Sequence, residues 1–270
     1  FYALPPSLTD LAGEPVQAVY GFLSILFLKI AELKPELVAV ALDEGRPFRE
    51  AFFPEYKAGR QEIDPAVARQ VERLRTVLDA LEVPMYGVAG YEADDVIATL
   101  VRQANQEDDL TTVVLSGDRD LFGLIGPRTT ILYPTRSMRE AERYDAARLH
   151  AKWGIRPEQV TDFKALVGDA SDNIPGVRGI GEKSATALLG QFDTLDAIYH
   201  NLAVVAPARA RTALEAGRDM ALLSRKLARL VDDVPGVALD REACRLSYDR
   251  ARVERVFDGF GFNSLRNRLP

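Results

Sequence analysis

Between positions 64 and 81 the apolar residues Val67, Val71, Leu74, Val77, Leu78 and Leu81 recur at three- and four-residue steps, with Arg and Glu between them. That period predicts an amphipathic helix. Residues 15–33 are apolar on nearly every side and predict a buried helix, and 92–103 predicts a third. Between these lie short apolar runs, ELVAVAL at 36–42, TTVVL at 111–115 and a third at 130–132, which predict buried strands. Strands alternating with helices imply an α/β architecture around a mostly parallel sheet covered on both faces. Ligands of such sheets gather beyond the carboxyl ends of the strands. After residue 145 the strand signals nearly vanish, and helices are predicted over 145–153, 157–167, 182–190, 194–201 and 207–230. The chain therefore reads as an α/β domain over 1–145 and an all-helical domain over 146–270.

Composition narrows the chemistry. The sequence is 270 residues long and 47% hydrophobic, enough for a full core in one or two domains. The longest apolar stretch, Val16 to Ile30, is too short to span a bilayer and carries Gln17, Ser24 and Lys29. Cys244 is the single cysteine, which excludes an internal disulfide and a Cys-rich zinc site and suits a reducing cytoplasm. His150 and His200 are the only histidines, both remote in sequence from the acidic clusters, which argues against a Ser or Cys triad. The chain begins at Phe1 rather than methionine, so further sequence is expected upstream.

The net charge of −6 runs against nucleic-acid binding until its distribution is read. Residues 201–270 carry 13 Lys and Arg against 9 Asp and Glu. Eight of the chain's acids fall in four short clusters: Asp43 in VALDEG; Glu92, Asp94 and Asp95 in GYEADDV; Asp118 and Asp120 in LSGDRDL; Asp169 and Asp172 in GDASDN. Asp43 and Asp118 follow predicted strands directly. Hard oxygen donors from several segments, with few N or S competitors, suit Mg²⁺ or Mn²⁺. The clusters have plainer readings one by one: an acidic first turn of a helix for GYEADDV, a capping turn for LSGDRDL, and an Asx-rich turn for GDASDN. Four together point to metal-assisted chemistry on phosphate.

Two further segments carry candidate contacts. DNIPGVRGIGEKSATALL passes through Gly176, Gly179 and Gly181 into a helix. It is neither a Rossmann fingerprint nor a P-loop, since no strand precedes it and Glu182 separates Gly181 from Lys183. It predicts a glycine hairpin between helices whose amides, with Lys183 and Ser184, can hold a phosphate; a tight helix connection is the equal alternative. PEYKAGR places Tyr56 beside Lys57 and Arg60 in what reads as an exposed segment, suited to base stacking and phosphate neutralisation or to plain solvation.

With these residues assembled, the chain resembles the 5′-nuclease (flap endonuclease) domain at the N-terminus of bacterial DNA polymerase I. FYALPPSLTD, FPEYKAGR, GYEADDVIATL, SGDRDLFGLI and ALVGDASDNIPGVRGIGEKSATALL carry the resemblance, in order and across essentially the whole sequence. It implies a PIN-like nuclease domain followed by a helix–three-turn–helix module. It implies that Asp43, Glu92, Asp94, Asp95, Asp118, Asp120, Asp169 and Asp172 are metal-site acids serving two ions. Lys57 and Arg60 match catalytic and DNA-contacting basic residues near a helical arch. The Gly176–Gly181 hairpin matches a helix–hairpin–helix contact with duplex DNA, often with a bound K⁺.

The resemblance further implies DNA with 5′ flaps, nicks or ends as substrate, a monomer in the bacterial cytoplasm, and a polymerase domain as a partner in a longer protein. Family members begin with a strand ending in a metal-ligating Asp, upstream of the FYALPP-like run, so the 270-residue chain is expected to be weakly active or unstable. An inactive DNA-structure-binding module and a PIN-type endoribonuclease are the alternatives to a metal-dependent 5′-nuclease.

Overall fold

The computed structural model describes residues 8–59, 64–135 and 137–270. In chain order the elements begin with α1 (Gln17–Leu33), β1 (Val40–Ala41), α2 (Pro65–Ala80), β2 (Met85–Tyr86), α3 (Ala93–Ala104), β3 (Thr112–Leu115), β4 (Thr129–Pro134) and β5 (Ala141–Tyr144). Helices follow: α4 (Ala146–Trp153), α5 (Val160–Val167), α6 (Glu182–Phe192), α7 (Leu195–His200), α8 (Ala208–Ala216), α9 (Arg218–Ala228), α10 (Arg250–Phe260) and α11 (Asn263–Arg266). They form two compact units, each assembled from separated stretches of chain.

The first unit combines described parts of 1–42 and 61–86 with 238–270. Its core is the helical stripe read from the sequence: Leu74, Val77 and Leu78 of α2 meet Val19, Leu23 and Phe27 of α1 and Val253 and Phe257 of α10. Asp64 starts α2 by accepting the Ala66 N–H at 2.8 Å, and Pro65 follows at the first helical position, where its missing N–H costs nothing. α1 has no such cap of its own. The buried Gln70 supplies it from α2, accepting the Ala18 N–H at 2.7 Å. β1 and β2 pair in parallel, Val40 with Met85 and Ala41 with Tyr86.

The second unit combines described parts of 43–60 and 87–237, so residue 145 lies inside it. β3 and β4 are parallel, from Thr112 opposite Thr129 to Leu115 opposite Leu132, while β5 runs antiparallel to β4. One core joins this sheet to the helices: Val101 of α3, Val114 of β3 and Ile131 of β4 cluster with Leu166 of α5, Leu189 of α6 and Leu214 of α8.

The α/β class with a helical continuation is as expected, but the sheet differs. Among the described residues there are two small sheets instead of one, and β4–β5 is antiparallel. β5 went unread because Glu142 and Arg143 give an edge strand no apolar alternation. The single helix expected over 207–230 breaks at Gly217, where a Cβ would lie 2.8 Å from Cγ1 of Val177. α10 and α11 were not foreseen at all. No helix among the described residues is long and apolar enough to cross a membrane.

Candidate metal centre

All eight predicted acids lie in the second unit. Four of them gather at the N-terminus of α3. Glu92 is its N-cap residue, Asp94 and Asp95 occupy its first turn, and Asp43 arrives from after β1, its Oδ1 accepting the Ala93 N–H at 2.8 Å. Unpaired amides and the positive end of the helix dipole favour negative charge there. Asp118 approaches from after β3, where its Oδ1 accepts the Asp120 N–H at 2.9 Å. The plainer readings of the sequence are realised as well, the acidic first turn at α3 and the Asx turn where Asp169 Oδ1 accepts the Ser171 N–H at 2.8 Å, and such turns are the means by which the acids are placed.

Asp94 shows the result. Burial, then the charges of Asp118, Asp43 and Glu92, push its carboxyl up to about 7. Like charges held together by a fold call for a cation. The donor set is entirely hard oxygen, and it fits a divalent ion of the Mg²⁺ class. Among the described residues, no three carboxylates close round one ion as they stand. Cations of the chain itself set their spacing. Lys57 Nζ pairs with Glu92 Oε1 and lies 3.7 Å from Asp172 Oδ2. Lys164 Nζ pairs with Asp120 Oδ1 and lies 2.6 Å from Asp169 Oδ2. Burial alone would raise Asp169, but hydrogen bonds from Lys164 and Ser171 outweigh it and hold the carboxyl down to about 2.

Asp95 stands apart. It is fully buried, and Arg49 grips it bidentately, Nη1 to Oδ2 at 2.7 Å and Nη2 to Oδ1 at 2.8 Å. The N–H groups of Val231 and Glu92 complete the shell at 2.8 and 3.2 Å. Both of its oxygens are therefore occupied by protein donors. Arg49 also donates to Glu92 Oε2 at 2.9 Å and to the carbonyls of Leu227 and Arg229 at 2.9 and 2.7 Å. Burial works against its charge, but the bonds to Asp95 and the charges of Asp95 and Glu92 raise its pKa further.

Tyr56 corrects the expectation of an exposed stacking residue: it is 4% exposed. Its hydroxyl donates to Glu92 Oε2 at 3.0 Å and lies 3.4 Å from Asp172 Oδ2, so the ring is wall rather than platform. Burial, then the charges of Glu92 and Asp172, raise its pKa. Lys57 sits beside it with φ +56°, its N–H bonded to the Asp172 carbonyl at 3.0 Å. Asn173 donates to the Glu55 carbonyl at 2.7 Å, which locks this turn to the GDASDN loop. Arg60 lies outside the described residues.

The glycine hairpin joins α5 to α6 as the sequence implies. Gly176, at φ +64°, is buried, and a Cβ there would fall 2.3 Å from the Gly168 nitrogen, so its role is close packing. Gly179, Gly181, Lys183 and Ser184 are exposed. Two residues of the centre were missed by sequence reasoning, Arg49 and Lys164. Each lies close to a motif that was singled out, but nothing in local pattern separates a buried arginine from a solvated one.

Known proteins extend this picture. Residues 1–154 match the model for the "5'-3' exonuclease, N-terminal resolvase-like domain", and residues 155–251 match the "5'-3' exonuclease, C-terminal SAM fold". The chain belongs to the 5′-3′ exonuclease family. As a member of this 5′-3′ exonuclease family it is a nuclease, with the resolvase-like and helical portions the two models describe. Curated relatives include DNA polymerase I of Chloroflexus aurantiacus, 44% identical over all of this chain and 29% of the relative. The Bacillus subtilis DNA polymerase I is 38% identical, again over all of this chain and 30% of the relative. The chain thus spans under a third of the length of these polymerases.

Solved structures share the fold. A T5 5′-exonuclease with bound divalent zinc ions superposes with TM-score 0.66 at 23% identity, covering 92% of this chain and 93% of that one. The catalytic core of Rad2 in complex with DNA substrate gives TM-score 0.60 at 16% identity, covering 93% and 83%.

Proposed function

We propose that this chain is a divalent-metal-dependent 5′-nuclease that hydrolyses phosphodiester bonds of DNA at 5′ flaps, nicks and ends. The observation that carries the reading is Asp94, crowded by Asp43, Glu92 and Asp118 from three other points of the chain. Asp43, Glu92, Asp94 and Asp118 would hold an ion at the head of α3, and Asp120, Asp169 and Asp172 would serve a second. When bound, such ions polarise the phosphate and lower the pKa of a water molecule.

The chain's own groups do the rest. Arg49 and Tyr56 both hold Glu92 Oε2, which orients that carboxylate. Asp43 spends one oxygen on the head of α3 and keeps the other free of that bond. The Lys57 ammonium, already bridging acids of two segments, is placed to neutralise an incoming phosphate, with Arg60 beside it in sequence. Asp95 acts through Arg49 rather than as an open donor.

Specificity on this reading is for DNA structure, because phosphate contacts carry no sequence information. The exposed end of the hairpin, Gly179 to Ser184, would hold the duplex backbone, with K⁺ as a fitting counter-ion. Residues 1–145 would carry most of the chemistry, joined by Asp169 and Asp172 of 146–270, whose hairpin would hold the duplex. Relatives named DNA polymerase I support a role in primer removal and repair beside a polymerase domain; a monomer in a bacterial cytoplasm is part of the same proposal.

The test is Mg²⁺-dependent cleavage of 5′-flap DNA compared with single-stranded RNA, each with and without Asp118→Ala. Flap cleavage that this substitution abolishes is the expected result. DNA bound but uncut would favour a binding module, and cleavage of RNA alone an endoribonuclease.

A further inference from the structure

A cleft of about 600 Å³ opens directly beside the acids, since Lys164 and Asp169 form part of its wall. Phe122, Trp153 and Phe163 give it aromatic walls, and Arg119, Asn173 and Glu182 line it with polar groups. A smaller cavity of about 400 Å³ adjoins it and shares Trp153, Phe163 and Glu182, with Lys152 and Lys183 on its rim. The Trp153 ring packs 5.0 Å from that of Phe122 and 5.5 Å from that of Tyr144. The Arg119 guanidinium lies 5.6 Å from its centroid and the Lys152 ammonium 5.3 Å away. Every element of this groove belongs to the second unit.

We propose that the Trp153–Phe163 groove receives one unpaired nucleobase of the DNA strand whose phosphate lies at the acids. The inference rests on the nuclease reading. Tyr56, the aromatic expected to stack, is buried and hydrogen-bonded into the acid wall, so it offers no ring to a base. Rigid aromatic walls beside cations are the usual means of holding an unpaired base with its backbone. Lys164 and Asp169 belong both to the groove wall and to the acid cluster, so the groove adjoins the proposed metal site. Arg119, Lys152 and Lys183 complement the backbone charge. Glu182, on the shared wall, repels phosphate and instead offers an acceptor for an exocyclic amino group, which seats the base rather than the backbone there.

Trp153 is the only tryptophan of the sequence, so its emission reports this groove alone. The test uses the full chain and a 5′-flap duplex carrying 5-iodouracil at the unpaired position next to the junction, in Ca²⁺. Saturable quenching of Trp153 emission, and a photo-adduct mapped to Trp153 or Phe163, are the expected results. Phe163→Ala, and independently the exposed Arg119→Gln, should weaken flap binding about tenfold relative to blunt duplex.

Flap DNA that binds by anisotropy with Trp153 emission unchanged and adducts elsewhere would overturn the inference. DNA that does not bind at all would overturn it too. Cleavage of the same substrate in Mg²⁺ is read in parallel. Cleavage without quenching sinks the groove and leaves the nuclease reading standing, whereas quenching without cleavage does the reverse.

Discussion

Asp94 and Asp95 are neighbours in the chain with opposite fates. Asp95 meets four hydrogen bonds from three residues and is fully buried. Asp94, one residue earlier, meets other carboxylates, and burial with their charges pushes it up to about 7. A helix advances its side chains by about 100° per residue, so one position turns the first acid towards the open cluster and the second towards Arg49. The lesson is that an acidic motif does not deliver interchangeable ligands: some of its charge goes into holding the frame that crowds the rest.

The largest effect expected from this contrast is on folding. Arg49→Met leaves Asp95 buried without its partner and should cost about 3–5 kcal/mol, read from chemical denaturation. Asp95→Asn should cost less, about 1–3 kcal/mol, because Arg49 keeps Glu92 and the carbonyls of Leu227 and Arg229. Either variant folding like the parent would break the comparison.

Asp94→Asn should do the converse. It relieves like-charge crowding, so stability in EDTA should hold or rise, while Mg²⁺-dependent turnover falls by at least about 100-fold. A drop in stability without loss of turnover would reverse the roles assigned to the two acids.

The pH profile sharpens the same point. An acid whose folded pKa lies above its unfolded value of 3.8 binds its proton more tightly when folded. Its contribution in EDTA is therefore fully present below the unfolded value and is lost as pH rises through about 7. Asp94→Asn should remove that segment of the stability profile, and an unchanged profile would contradict the crowding. The smallest effect is expected from Tyr56→Phe, which removes one donor from Glu92 and should cost about 0.5–1.5 kcal/mol, with a modest rise in the Mg²⁺ concentration needed for half-maximal cleavage.

Much of this molecule was legible in its sequence, and the gaps have physical causes. Amphipathic stripes such as Leu74–Val77–Leu78 located helices to within a residue or two, because a helix repeats its pattern over many turns. Strands of two to six residues repeat it barely at all, so β2 and β5 were missed and the sheets were read as one. The acid clusters were found because carboxylates in turns after strands are visible locally. Arg49 was not, because its meaning depends on carbonyls of Leu227 and Arg229 about 180 residues away. Tyr56 was misjudged for the same reason: PEYK reads as surface until the GDASDN loop closes over it. Lys164, in a helical run, gives no sign that Asp120 and Asp169 flank it.

Lys57 carries one more consequence. Its backbone is in the left-handed region at φ +56°, a conformation that costs a lysine and suits Gly or Asn. Its ammonium, however, bridges acids from two segments. Folding and chemistry thus ask for different residues at one position. A screen for thermal stability alone would drift towards glycine at this position and discard the charge; a screen for cleavage would keep the lysine and tolerate the strain. Opposite selections at a single site would mark where this enzyme trades ruggedness for turnover.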